Sequence, residues 1–98
     1  MDKIDEQKIK KYFSVTGAAI EKAKASANRT LFKRERMDFL DMIGRYFSDA
    51  EHFYKKGDFV NAFAALNYAH GWLDAGARIG LFDVHDSKLF TVDDEQKA

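Results

Sequence analysis

The segment Gly57 to Gly80, GDFVNAFAALNYAHGWLDAGARIG, constrains this chain more than any other, because the start, the stop and the faces of one helix are all written into it. Gly57 suits the left-handed conformation that closes a preceding helix, and Asp58 can accept hydrogen bonds from the open amides of the next first turn. Gly80 repeats the stop signal, behind an Arg78 whose charge suits the negative end of the helix dipole. The spacing predicts a helix over 58–79. At about 100° per residue, Phe59, Ala62, Phe63, Leu66, Ala69, Leu73 and Ala77 form one apolar stripe. Ala64, Tyr68, Trp72, Ala75 and Ile79 form a second on the far side, leaving Asn67, Asp74 and Arg78 as a narrow polar strip. A helix that apolar needs neighbours on more than one side.

Two further helices are predicted upstream. Ile9, Tyr12, Thr16, Ala19, Ile20, Ala23 and Ala27 recur at three- and four-residue steps over 3–26, with Gly17 placed where a close helix crossing would be tolerated. Between Ser26 and Leu31 the period fails, and Asn28 and Thr30 suit a turn. Over 32–56, Leu40, Phe47 and Tyr54 form one heptad row and Phe39, Tyr46 and Phe53 the next, with Ile43 and Ala50 between them. Rows of that width bury against two neighbours at shallow angles. The fold expected is all-α, an up-and-down three-helix bundle over 1–82 with a short C-terminal tail over 83–98. Leu40, Phe47, Phe63, Leu66 and Leu73 are its expected common core. The tail mixes Asp83, Asp86, Asp93, Asp94 and Glu95 with two apolar islands, Leu81-Phe82 and Leu89 to Val92. The islands are expected to dock on the bundle and the acidic end to fray.

At 98 residues the chain makes one domain with little area for a separate catalytic module. Cysteine is absent, which excludes disulfides, thiolate chemistry and Cys-ligated zinc. Aromatic residues supply 14% of the chain, so the core should be rich in rings. Neither a membrane span nor a secretory leader is visible, and a cytoplasmic location is expected.

Formal net charge is zero, but its distribution is uneven. Residues 1–36 carry ten Lys or Arg against five acids, and residues 37–98 carry six against eleven. A chain so polarised can attract a second copy or a charged partner, although solvated helix faces account for most such patterns. Within the basic half, Arg29, Lys33, Arg34 and Arg36 surround the start of the second helix, where cations oppose the dipole and so are not there for helix stability. They are the candidate nucleic-acid contacts, with no aromatic platform interleaved among them. The strip Asn67, His70, Asp74 and Arg78 is a candidate polar site. One His and one carboxylate are too few ligands for a metal, and a histidine bonded to a neighbouring helix is the simpler reading of His70. Arg45 and His52 share a face and fit the loose Arg-x(4–6)-His pattern of the helical ribonucleases called HEPN domains, in the company of Asp41, Ser48 and Lys55. Asp49, Glu51 and His52 do not converge on a helix surface. No Gly-rich phosphate loop, Ser-His-Asp order or paired-carboxylate motif is present.

The elements YFSDAEHFYKKGDF, AFAALNYAHGWLDAG and RIGLF, from Tyr46 through the end of the Gly57 to Gly80 segment, resemble the small archaeal proteins grouped as domain-of-unknown-function family 357. The resemblance centres on the Gly-Asp junction and on Tyr68, Ala69, His70, Gly71, Trp72, Leu73 and Asp74. It implies a short helical bundle in an archaeal cytoplasm, and it carries no catalytic residue onto any position. The reading from the residues is a non-enzymatic interaction module without cofactor or metal. Tyr68, Trp72, Ala75 and Ile79 are its expected interface to a second copy, as a homodimer, or to a protein partner. The alternative is a nucleic-acid binder or weak HEPN-like ribonuclease using the basic N-terminal half.

Overall fold

A computed structural model describes residues 5–90, which form three helices, α1 (Glu6–Ala25), α2 (Lys33–Lys55) and α3 (Phe59–Arg78). The all-α three-helix bundle expected from the sequence is the fold observed, with no strand among the described residues. The first residues expected in α1, the Thr91-Val92 half of the second apolar island, and Asp93, Asp94 and Glu95 lie outside the described residues.

Each helix begins and ends for a local reason. Asp5 caps α1, its carboxylate accepting from the Lys8 amide at 2.8 Å. Asp58 does the same for α3, accepting from the Asn61 amide at 3.2 Å. Gly57 and Gly80 take φ of 77° and 86°. Behind each, the next amide reaches back to the carbonyl five residues earlier, Asp58 to Phe53 at 2.9 Å and Leu81 to Gly76 at 2.8 Å. Both are left-handed glycine closures that satisfy carbonyls the helix itself cannot. The start of α2 has no side-chain cap. The preceding turn is instead held by Asn28, whose Oδ1 accepts from the amide and hydroxyl of Thr30, while the Thr30 hydroxyl accepts from the Phe32 amide.

α3 is the element on which the others seat. Both α1 and α2 pack closely against it, while the backbones of α1 and α2 stay further apart. Aromatic rings span that gap: Phe13 of α1 meets Phe47 and Tyr54 of α2 edge to face, with centroids 5.6 and 5.4 Å apart. At the outer end the Tyr54 phenol donates to Glu6 Oε2 at 2.6 Å. That bond, helped by Lys10, holds the Glu6 carboxyl below its ordinary value, and it raises the phenol above its own. The link is therefore present at neutral pH. It is lost as pH falls through the lowered carboxyl value or rises through the raised phenol value.

The core lies in two parts. One gathers Ile9, Ala50, Ala62, Ala65 and Leu66 at one end of the bundle, and the other gathers Ala19, Ile20, Ala23, Ile43, Ala69, Leu73 and Ala77 with Leu81, Phe82, Val84 and Phe90 at the other. Leu66 and Leu73 are buried as expected, but Leu40, Phe47 and Phe63 are only partly so. The residues of α2 that face α3 squarely are Ile43 and Ala50, both fully buried, because small or branched side chains let the helices approach and push the rings to the flanks. Ala27 lies beyond the end of α1 and is exposed.

Past α3 the chain turns back over the α1 end of the bundle. Asp83 donates its amide to the Ala27 carbonyl at 2.9 Å and Arg29 donates to the Gly80 carbonyl at 2.9 Å, strapping the two loops together. Phe82 is fully buried against Gly76, where a Cβ would overlap its ring. Gly76→Ala should therefore lower stability by about 1–3 kcal/mol despite the better helix propensity of alanine. Gly17→Ala, where the added methyl meets Phe47 at an ordinary 3.8 Å, should be neutral or stabilising. Thermal melts of the two variants check this, and equal midpoints would contradict the placement of Phe82.

Candidate functional site

The basic cluster at the start of α2 does not act as one patch. Arg36 is turned inward across the end of α1. Its guanidinium donates to the carbonyls of Leu81 (2.7 Å), Ser26 (2.9 Å), Lys24 (3.2 Å) and Ala23 (3.3 Å), and its plane covers the Phe82 ring at 5.5 Å. Ala23, Lys24 and Ser26 lie where α1 ends, Ala23 also accepting from the Ser26 amide and hydroxyl, and one planar fork with several donors is suited to collect such carbonyls. Arg29 pairs with Asp83 at 3.4 Å, and Lys22 with Asp86 at 3.4 Å. Lys33 and Arg34 are exposed, and beside them stand Phe32 at 58% and Leu31 at 94% exposure. An exposed ring does therefore adjoin the cations, contrary to the sequence reading, which overlooked Phe32.

The polar strip of α3 divides in the structure. Asn67, His70 and Asp74 line a cleft of about 400 Å³ between α1 and α3, together with Tyr12, Val15, Thr16 and Gly71, while Arg78 is exposed outside that lining. His70 is committed on both ring nitrogens: Nε2 donates to the Leu89 carbonyl at 2.5 Å, which leaves Nδ1 to accept from the Thr16 hydroxyl at 3.4 Å. The histidine thus joins α1, α3 and the tail. Arg45 is held by Asp41 at 2.9 Å on the exposed side of α2, and His52 lies edge-on to Phe53. Among the described residues no group of three His, Asp or Glu converges as a metal site would require.

The second apolar face of α3 is partly bare. Trp72 is turned toward α2 and packs edge to face on Phe39 with centroids 4.8 Å apart, so much of it is internal. Tyr68 stacks on Tyr46 at 5.3 Å yet remains 62% exposed, and Ile79 is 57% exposed. Ala75 is exposed as well. Between α2 and α3 these residues border a shallow groove of about 370 Å³ lined by Phe39, Asn67, Tyr68, Gly71, Trp72 and Ala75. Toward the start of α3, Ala64 and, a turn further, Val60 (55% exposed) extend the same strip, whereas the sequence places its beginning at Ala64.

The fold and its surfaces define a small helical bundle. Within that class the chain belongs to the family described as Protein of unknown function (DUF357), whose profile it matches over residues 11–82. No curated protein and no solved structure is matched. None of the described helices is long and apolar enough to cross a membrane.

The inward placement of Arg36 has a measurable consequence. Arg36→Ala should lower stability by about 2 kcal/mol, since it strands helix-end carbonyls, whereas Arg34→Ala on the same helix should change it by no more than about 0.5 kcal/mol. Chemical denaturation of both variants checks the difference, and indistinguishable midpoints would return Arg36 to the surface patch.

Proposed function

We propose that the protein is a non-enzymatic interaction module whose working surface is the exposed apolar face of α3. The observation that supports this reading is what the tail leaves uncovered. Leu89 and Phe90 pack beside His70 and in the core, on the α1 side of α3, so among the described residues the tail does not cover Tyr68 or Ile79. The face that remains combines a tyrosine, two branched aliphatic residues and small residues along one helix. Such a set offers ring anchors with close backbone approach. A cytoplasmic location belongs to the same proposal.

The second reading, nucleic-acid binding, has one observation in its favour, the exposed Phe32 beside Lys33 and Arg34. The two separate cleanly. Tyr68→Glu with Ile79→Glu alters only exposed positions and should leave the melting midpoint within a few degrees of wild type. It should abolish association, read as mass in sedimentation equilibrium and as loss of bands retained by the immobilised wild-type protein. Lys33→Glu with Arg34→Glu should leave that association intact. If instead only the Lys33/Arg34 variant changes behaviour, and does so as salt-sensitive loss of RNA retention, the nucleic-acid reading replaces the first.

A further inference from the structure

The bare strip on α3 has an internal order. Val60, Ala64, Tyr68, Gly71, Ala75 and Ile79 fall within about 100° of one another around the helix, so they form one seam along its length. Reading inward from the two ends, Val60 matches Ile79, Ala64 matches Ala75, and Tyr68 matches Gly71. All three pairs share one centre, midway between Ala69 and His70. The pairs are also complementary in shape: branched with branched at the ends, small with small next, and a ring with an open glycine nearest the centre.

We infer that this seam takes a second copy of the chain, packed antiparallel about a two-fold axis that passes between the two α3 helices at the level of Ala69 and His70. The inference rests on the reading of α3 as the working surface and names its partner. In a two-fold interface each residue must suit its counterpart in both directions, which a seam of matched pairs does and an arbitrary apolar stripe does not. Tyr68 of one copy lies over Gly71 of the other. The space is there: a Cβ built on Gly71 meets nothing within 4 Å, and Gly71 and Trp72 form the floor of the groove beside it. The ring is also already oriented by its stacking on Tyr46, so little side-chain freedom is lost on docking. Ala64 against Ala75 lets the helices come close between these contacts.

The charges agree with the same register. Asn61 and Arg78 are a further pair about the same centre, and both are exposed. The Asn61 amide donates to Asp58 Oδ2 at 2.7 Å, so antiparallel docking brings Arg78 of each copy to the Asp58-Asn61 end of the other. That places a cation near a carboxylate twice per dimer and sets the two α3 dipoles side by side and antiparallel, with unlike ends adjacent. A parallel arrangement would place like ends together.

Disulfide trapping tests the register, because the chain has no cysteine of its own. Positions 64 and 75 are about 16 Å apart along one helix, too far for a bond within a chain. Mixed Ala64→Cys and Ala75→Cys proteins should form a covalent 64–75 dimer on mild oxidation, in clear excess over either protein alone. Gly71→Gln gives an independent readout. The position is exposed and roomy, so the variant should melt no lower than wild type, yet it should raise the dimer dissociation constant by about tenfold or more by obstructing Tyr68 of the other copy. A wild-type monomer at high micromolar concentration would overturn the second copy as partner. If other proteins are then still lost in the Tyr68→Glu/Ile79→Glu comparison, the working-surface reading survives. A wild-type dimer in which either cysteine variant links to itself as readily as to the other, or in which Gly71→Gln is silent, would overturn the antiparallel register.

Discussion

The end of α1 is closed by a side chain from another helix. Its last carbonyls cannot be satisfied by the helix, which leaves it in extended backbone at Ser26, and Arg36 of α2 supplies the missing donors. The same guanidinium holds the Leu81 carbonyl and covers the ring of Phe82, which in turn fills the space that Gly76 leaves on α3. One cation thereby fixes the exit of α1, the entry of α2 and the chain leaving α3. Removing the guanidinium is expected to loosen all three, because the Lys24, Ser26 and Leu81 carbonyls and the Phe82 ring all meet it. The consequence extends to the surface. With Phe82 locked under Arg36, the tail as far as Phe90 is directed toward α1 and His70, and among the described residues nothing from it covers the outer side of α3.

What could be read from the sequence was local. Gly57, Asp58 and Gly80 specify their conformations through atoms within a few residues, so the α2–α3 junction and the end of α3 were legible as written. The stripe of Leu66 and Leu73 was legible too, because helical periodicity alone puts them on one side. Arg36 was not. Its acceptors lie 10 to 45 residues away in sequence, and nothing in the spacing Arg34-Glu35-Arg36 says which cation turns inward. The rows of rings on α2 misdirected the core assignment for a related reason. Size marks a residue as apolar but not as central, and packing against α3 favoured Ile43 and Ala50. The polar strip was read as one unit on helix geometry alone, whereas the cleft beside α1 takes in Asn67, His70 and Asp74 and not Arg78, which a single-helix projection does not show.

The helical glycines show how far exposure alone can be taken. Gly17 touches Phe47 and Gly76 houses Phe82, so each has a reason within the chain. Gly44 and Gly71 both have open space above them, and each forgoes about 1 kcal/mol of helix propensity relative to alanine. An open glycine is therefore not in itself a sign of an interface. Gly71 differs from Gly44 in its company: it lies in the apolar seam, in the floor of the groove, and at the position matched with Tyr68.

Charge asymmetry, prominent in the sequence, is partly paired inside the molecule. Lys22 meets Asp86, Arg29 meets Asp83, and Arg36 is spent on carbonyls, so the acidic chain after α3 neutralises the basic end it covers. These pairs are partly exposed and individually weak, but they lie on the same contact as Phe82 and Phe90 and help direct the tail there rather than onto Tyr68. The field at that end of the bundle is thus reduced. The recognition surface proposed above is an apolar seam with a carboxylate near one end and a cation near the other. A surface of that kind gains most of its affinity from burial and uses its charges to choose orientation. Association through α3 is therefore expected to depend on the shape of the seam far more than on ionic strength, the reverse of what a phosphate-binding protein would show.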